Sequence, residues 1–549
     1  MESSDAQDIV KKLLNLIERV ASDNESLETE IQRLRDEVNR LKGEQGKPNI
    51  KPNKSTQTDI SSEKERQKAE ADANANENGE AEGKKKKRNR KPKLSKIQID
   101  QTINCPLDKE RLPDDLISKG HTDVIVQDII IKSNTIKYRR EAYYSASENI
   151  SYYGALPEGV QNQGEYGIGI RSLIPVLKTA CRMTEKPIIE FFENHGIVIS
   201  PAYLSRQWTG GYDWAHEEKS NLYYQGILKS DYVQIDDTSA RVNGDNHYCQ
   251  VVCNPLFTAY FTTKKKDRLS VLELLTDYAP SRYLYNHSAK SLLDTLRLSN
   301  KARTAVEEAL PEDTVMNEMQ FVEHLVNLDT LGAGQITKVT EACGIAHYQQ
   351  QTDFPVIETL LADDAPQFKL LTKHLGLCWI HDARHYKKLC PILEINQITL
   401  ASFRHQYWAY YTELLKYQRN PDPDKREWLT KQFDDIFTTI TDYDDLNDRI
   451  AKTLAKKTEL LRFLDLPELP LHNNASELAA RAQARVRDIS FQTRSDAGTK
   501  IKDTFMSINE TAKKLGVSFY DYVYDRVSGE FKLPSLADLI KQKAQALPA

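Results

Sequence analysis

The chain has 549 residues, of which 39% are hydrophobic and 28% charged, and its formal net charge is -5. That length exceeds what one hydrophobic core serves and predicts roughly three or four domains. No run of about 18 apolar residues is present to span a membrane, the acidic start MESSDAQDIVKK is not that of a secretory signal, and seven cysteines scattered from Cys105 to Cys390 fit reduced thiols rather than a disulfide framework. The expected location is cytoplasmic, and the modest net charge says less than how charge is arranged along the chain.

From Val10 to Leu41 the apolar residues recur at steps of three and four. Val10, Ile17, Asn24, Ile31 and Val38 fall at one heptad position and Leu13, Val20, Leu27, Leu34 and Leu41 at another. β-branched residues at a, mostly leucine at d and one Asn at a are the preferences of a parallel two-stranded coiled coil, which predicts a homodimer. The alternative is an amphipathic helix packed on its own domain. After Gly43 the pattern stops, and residues 44 to 83 are too polar to bury a core alone. Lys84 to Lys96 then holds nine basic residues in thirteen: Lys84, Lys85, Lys86, Lys87, Arg88, Arg90, Lys91, Lys93 and Lys96. Such a run reads either as a solvated tail or import signal, or as a tether that neutralises DNA phosphates.

Residues 97–165 read as short mixed strands, with Val124 to Ile131 the clearest. Thr184 to His195 predicts a helix ended by Gly196, and Ser200-Pro201 supplies an N-cap and a first-turn proline for a second helix ending near Trp208. Two helices around a glycine turn fit a helix-turn-helix, with Tyr203, Ser205, Arg206 and Gln207 facing a major groove, although short helix pairs occur in many folds. Tyr232 to Thr238, His247 to Cys253 and Phe257 to Thr263 predict a three-stranded meander with a tight turn at Asn243-Gly244 and another turn at Asn254-Pro255. A helix over Arg268 to Tyr278, a mostly helical stretch over 283–350, strands at Val356 to Ala362 and Leu375 to Ile380, long helices over 398–462 and a helical end from Ser476 complete the reading.

Acids stand at two predicted strand ends, Asp236-Asp237 and Asp363-Asp364. On neighbouring strands about 4.8 Å apart, two such carboxylates reach shared hard divalent cations. A third acid from a helix would complete a two-metal site for phosphodiester displacement. Glu477 is the candidate, with Arg481 and Arg485 on the same helix face; spacing alone equally fits an exposed helix with ordinary Glu/Arg pairs. Cys378-Trp379-Ile380-His381 has half of a zinc-ligand spacing and reads instead as a buried strand end. The glycines of GEYGIGIRS and GAGQIT lack the Lys-Ser/Thr of a phosphate loop.

The combination of YVQIDDTSARV, LLADDAPQF, LGLCWIHDARHYKKL and LHNNASELAARAQ, after a coiled-coil start and the stretch RLKGEQGKPNIKPNK, resembles the transposases of the insertion sequence 66 family over nearly the whole chain. The resemblance implies a multidomain α/β protein: a coiled coil over 1–43, a disordered linker with its basic tract over 44–96, a small mixed module over 97–165 and a helix-turn-helix region over 166–225. An RNase H-like core follows over 226–397 with a helical insertion at 283–350, then a second helical insertion over 398–465 and the end of the core with C-terminal helices over 466–549. It also implies catalytic, metal-binding roles for Asp236, Asp363 and Glu477 with two Mg²⁺ or Mn²⁺ ions, cleavage at transposon ends, and joining of a 3′-hydroxyl to target DNA. His381, Arg384, Asn473, Asn474, Arg481 and Arg485 are expected near that site. Partners are then double-stranded DNA, a second copy of the chain and accessory proteins encoded beside it. Two departures stand out. Only Cys105 remains where family members often carry a cysteine-rich zinc module, so no zinc is expected there, and His472 precedes the paired asparagines where Asp is more usual. A non-catalytic DNA-binding relative and a nuclease that cuts without joining strands are the competing readings.

Overall fold

The computed structural model describes residues 2–41, 62–75, 97, 99–106, 121–157, 166–326, 328 and 331–546. The protein is a helix-rich mixed α/β structure.

The N-terminal helix α1 (Glu2–Leu41) runs unbroken, as its heptads predict, and leaves Val10, Leu13, Ile17, Val20, Leu27, Ile31 and Leu34 about half exposed, between 47% and 58%. A second helix, α2 (Glu63–Ala75), lies where composition predicts a disordered linker. It is ordered by what it touches: Ala69 and Ala73 are buried against the helical part described below, and Glu65 is paired with Lys387 and Arg404. The stretch Val124 to Ile131 is not a strand. Its apolar residues find no sheet to join, and Val124, Ile129 and Ile130 stay 79% to 87% exposed. The strands of this region are instead the hairpin β1 (Ala142–Ser145) and β2 (Ile150–Tyr153).

Four helices follow: α3 (Ile168–Thr179), α4 (Glu185–Asn194), α5 (Pro201–Gly210) and α6 (Asp213–Leu228). α4 and α5 start and stop where the sequence predicts, with Gly196 at φ 72° between them and the Ser200 hydroxyl accepting from the Tyr203 amide at 3.1 Å. The meander is β3 (Val233–Val242), β4 (Asp245–Cys253) and β5 (Thr258–Thr263). Asn243 and Gly244 make its two-residue turn, both with positive φ. Gly226 is required where α6 crosses β5, because a Cβ there would meet the Phe257 ring at 2.3 Å.

After α7 (Arg268–Leu275) the stretch expected to be helical also holds a small two-stranded sheet. It contains β6 (Arg282–Leu284), α8 (His287–Thr295), α9 (Asn300–Ala309), β7 (Val315–Asn317), α10 (Glu318–Val326) and α11 (Ala333–Gln350), packed around a core of their own. Next come β8 (Thr359–Ala362) and β9 (His374–Leu377). The expected strand Leu375 to Ile380 ends early, because α12 (Trp379–Lys387) begins at Trp379. The Trp379 amide bonds to the Leu471 carbonyl at 3.0 Å and its indole to the Leu460 carbonyl at 2.8 Å, which turns the chain out of the sheet.

The remaining helices are α13 (Glu394–Arg419), α14 (Pro423–Phe437), α15 (Asp444–Leu454), α16 (Lys457–Leu460), α17 (Asn474–Ser490), α18 (Asp496–Leu515), α19 (Phe519–Ser528) and α20 (Leu536–Ala546). α12 to α16 share an aromatic core around Trp379, Tyr407, Tyr410, Phe433 and Phe437.

The five-stranded sheet has the order β5-β4-β3-β8-β9, with β4 antiparallel to its neighbours and β8 and β9 parallel to β3. Its edge at β5 is closed by side chains of α18. The amides of Thr258, Tyr260 and Thr262 donate to Thr511, Ser507 and Asp503 at 3.1, 2.9 and 2.7 Å. Alternate strand amides point the same way and repeat at about 6.8 Å, while helix positions four apart repeat at about 6 Å. The hydroxyl and carboxylate ladder therefore occupies amides that would otherwise invite another strand. No described helix is long and apolar enough to cross a membrane.

Candidate active site

β3 and β8 run parallel with Gln234 opposite Leu361, so Asp236 and Asp363, each two residues further on, stand side by side on one face of the sheet. Helix α17 packs across that face. The Tyr260 hydroxyl holds the Ala479 carbonyl at 3.0 Å, and Ala240, Ala479 and Ala480 share a small core. This sets Glu477, in the first turn of α17, within electrostatic reach of Asp236. Asn473, expected near the site, is fully buried at the N-terminus of α17, and Asn474 is the first helical residue, half-buried.

Burial, then Asp363, Glu477 and Asp237 as like charges, raise the Asp236 carboxyl from its ordinary 3.8 to about 7, even though it accepts the Asp237 amide at 2.8 Å. Asp363 is also raised, by burial first, while accepting the Ala365 amide at 3.1 Å. Glu477 is engaged by two guanidinium groups, with Arg384 reaching both carboxylate oxygens at 3.2 Å and Arg481 3.4 Å away, while the His381 Nε2 lies 3.6 Å from it. His381 bonds Arg384 at 2.9 Å, and burial followed by that guanidinium lowers its pKa, so the imidazole is neutral at pH 7. Arg485, one turn beyond Arg481, is exposed and outside this cluster.

The second acid of each pair is otherwise occupied. Asp237 takes the Gln367 amide at 2.8 Å and Lys266 at 3.8 Å. Asp364 pairs with Lys369 at 2.6 Å and with Lys456; burial pushes its carboxyl up, but the two lysines hold it below its usual value. The lysine partners were not legible in the sequence, since Lys456 comes from the end of the helical stretch more than ninety residues away. Tyr203, Arg206 and Gln207 lie on α5 around the Tyr203 ring, with Arg206 5.9 Å from its centroid and Gln207 3.4 Å from its hydroxyl. No hydrogen bond or ion pair joins them to the carboxylates among the described residues. The basic tract, Lys84 to Lys96, lies outside the described residues.

The sequence model of the family described as Transposase IS66 family matches residues 371–501. The chain is also 31% identical over 330 residues to an uncharacterised protein, y4jO, of Sinorhizobium fredii; the match takes in 59% of this chain and the whole of that protein. The chain belongs to the transposase IS66 family. The matched residues run from just before β9 into the start of α18, so Glu477, its partners His381, Arg384 and Arg481, and the intervening helices all lie within the family's own segment. Asp236 and Asp363 lie outside it, and their link to the family segment is spatial, through the register of β3 and β8.

Among the described residues no three acidic, His or Cys side chains lie close enough together to hold a metal ion as they stand; what the geometry shows is one acid, Asp236, driven up to about 7 by burial and by Asp363 and Glu477 as like charges. Oxygen donors of this kind suit Mg²⁺ or Mn²⁺ rather than zinc, which prefers Cys and His.

Proposed function

We propose that this chain is a DNA transposase that uses Asp236, Asp363 and Glu477 to cleave at transposon ends and to join the freed 3′-hydroxyl to target DNA. The observation that carries the proposal is the placement of Asp236, in β3, beside Asp363, the residue after the adjacent parallel strand β8, with both Asp363 and Glu477 acting on Asp236 as like charges. The sheet order, with an antiparallel meander followed by two parallel strands, supports an RNase H-like core. The three acids would hold two Mg²⁺ or Mn²⁺ ions, which supply positive charge to the attacking and leaving oxygens of phosphodiester displacement.

The protein's own groups divide the remaining work. Asp236 and Asp363 orient from the rigid sheet, and Glu477 from a helix. Arg384, already holding both Glu477 oxygens, offers a planar donor fork to a scissile phosphate beside the acids. The neutral His381 offers a hydrogen bond in place of a second charge. α4 and α5 serve as the helix-turn-helix that reads DNA, with Arg206 exposed on α5 while Tyr203, packed on Tyr166, and Gln207 are half-buried, and the basic tract adds sequence-independent affinity. The a/d stripe of α1 pairs with a second copy in a parallel coiled coil.

The test is incubation of the full chain with DNA carrying the element's ends, with Mg²⁺ or Mn²⁺ or with chelator. Cutting at the ends only with metal, followed by joined product, is expected. Binding without cutting in either metal would overturn the catalytic assignment.

A further inference from the structure

The apolar stripe of α1 is one of two faces on that helix. On the other side, Glu18 is 4% exposed and Asn15 8%, in a helix whose a and d residues are about half exposed. The Glu18 carboxylate accepts the backbone amides of Ile392 and of Leu393, the latter at 3.0 Å, and the side-chain amide of Asn396 at 3.1 Å. These groups are the open N-terminal end of α13, where an anion satisfies orphan amides and faces the positive end of the helix dipole. Asn15 does the same for α15: it accepts the Asp444 amide and donates to the Asp442 carbonyl, both at 3.1 Å. Lys11 donates to the Thr441 carbonyl at 3.2 Å and lies 3.5 Å from Asp442.

In the heptad that puts Val10 and Ile17 at a, Lys11 and Glu18 are b positions and Asn15 is f. At about 100° per residue, the b and f positions centre roughly 150° around the helix from the a/d seam. A helix docked through b and f therefore keeps its whole seam free.

We infer that α1 is a strut with two independent docking faces. Its a/d seam takes a second copy of this chain, and its b/f face is fastened by Glu18 and Asn15 to the N-termini of α13 and α15. Dimerisation then fixes how two catalytic units face each other instead of tethering them loosely. The occupant of the seam rests on the dimer reading above; the fastened face does not.

Three forms of the full chain separate the two faces: wild type, Glu18→Ala with Asn15→Ala, and Leu13→Lys with Ile17→Lys. Each is examined by sedimentation and by hydrogen exchange at the amides of Ile392, Leu393 and Asp444. The wild type should be dimeric with these amides protected. Removing Glu18 and Asn15 should leave the dimer and speed exchange at the three amides by about ten-fold or more, as expected for lost hydrogen bonds, those of Ile392 and Leu393 being to a carboxylate. The seam variant should be monomeric with the three amides as protected as in the wild type. Equal exchange with and without Glu18 and Asn15 overturns the fastened face, and loss of the dimer on their removal overturns the independence of the two faces. A monomeric wild type overturns the dimer reading and the strut's role, while exchange still decides whether Glu18 and Asn15 are docked.

Discussion

Taking one negative charge out of the carboxylate cluster should stabilise the metal-free protein. The Asp236 carboxyl titrates near 7 in the folded state against an ordinary 3.8, because it is buried and faces Asp363. Between those values the folded state binds a proton that the unfolded chain has released, so stability falls as pH rises through this window and the full cost is present above it. At about 1.36 kcal/mol per unit, the rise corresponds to about 4 kcal/mol, an upper bound because the site can relax. Asp236→Asn keeps the shape and removes the charge. For a cooperative unit of 150–250 residues, where each kcal/mol moves Tm by about 2–4 °C, the gain should be on the order of 5–10 °C at pH 8. At pH 4.5 most of it should be gone, since the wild-type side chain is then protonated in the folded state. Thermal unfolding in chelator at the two pH values measures this. Divalent ion should raise the wild-type Tm more than the variant's, because only the wild type keeps all three acids. An unchanged or lower Tm for Asp236→Asn at pH 8, or a gain that grows toward low pH, would refute the reasoning.

Other sites give further expectations. Asp382 is buried against Arg449, Thr453 and Tyr407, so Asp382→Ala should cost about 3–5 kcal/mol by stranding the guanidinium, read by denaturant unfolding; a loss under about 1 kcal/mol would mean that water reaches Arg449. Asp503→Ala removes the acceptor of the Thr262 amide and hydroxyl at the sheet edge and should cost about 1–3 kcal/mol, with faster exchange confined to β5; uniform exchange across the sheet would argue against an edge lock. Neutralising Lys84 to Arg88 should flatten the salt dependence of DNA binding, since fewer counterions are released, and an unchanged slope would make the tract a bystander.

Much of the fold was legible where local chemistry decides it. Asn243-Gly244 fixes the β3-β4 turn, Ser200-Pro201 starts α5, and the heptads from Val10 to Leu41 predict the unbroken helix α1. The two acid pairs were expected at strand ends, but β3 runs on to Val242 and leaves Asp236 inside it, while only Asp363 comes just past the end of its strand β8; the parallel register of β3 and β8 is what aligns them. What escaped depends on distant partners. Trp379 extends an apolar run and reads as strand, but bonds to Leu460 and Leu471 make it the start of a helix. The apolar residues that α2 buries among its described ones are Ala69 and Ala73, beside the polar Arg66, which leaves no hydrophobic period to detect. Val124 to Ile131 has strand-like residues without a sheet to join. The docking of Glu18 and Asn15 was hidden because polar b and f positions look like any solvated face.

The central claim, that β3 and β8 bring Asp236 and Asp363 together under Glu477, is tested most directly by comparing Asp363→Asn with Asp364→Asn in the metal-dependent cleavage of end-containing DNA, with DNA binding measured alongside. Asp364 is held by Lys369 and Lys456, so Asp364→Asn should cut at a modestly reduced rate, while Asp363→Asn binds DNA and does not cut. A cutting Asp363→Asn beside a dead Asp364→Asn would contradict the register and the site built on it.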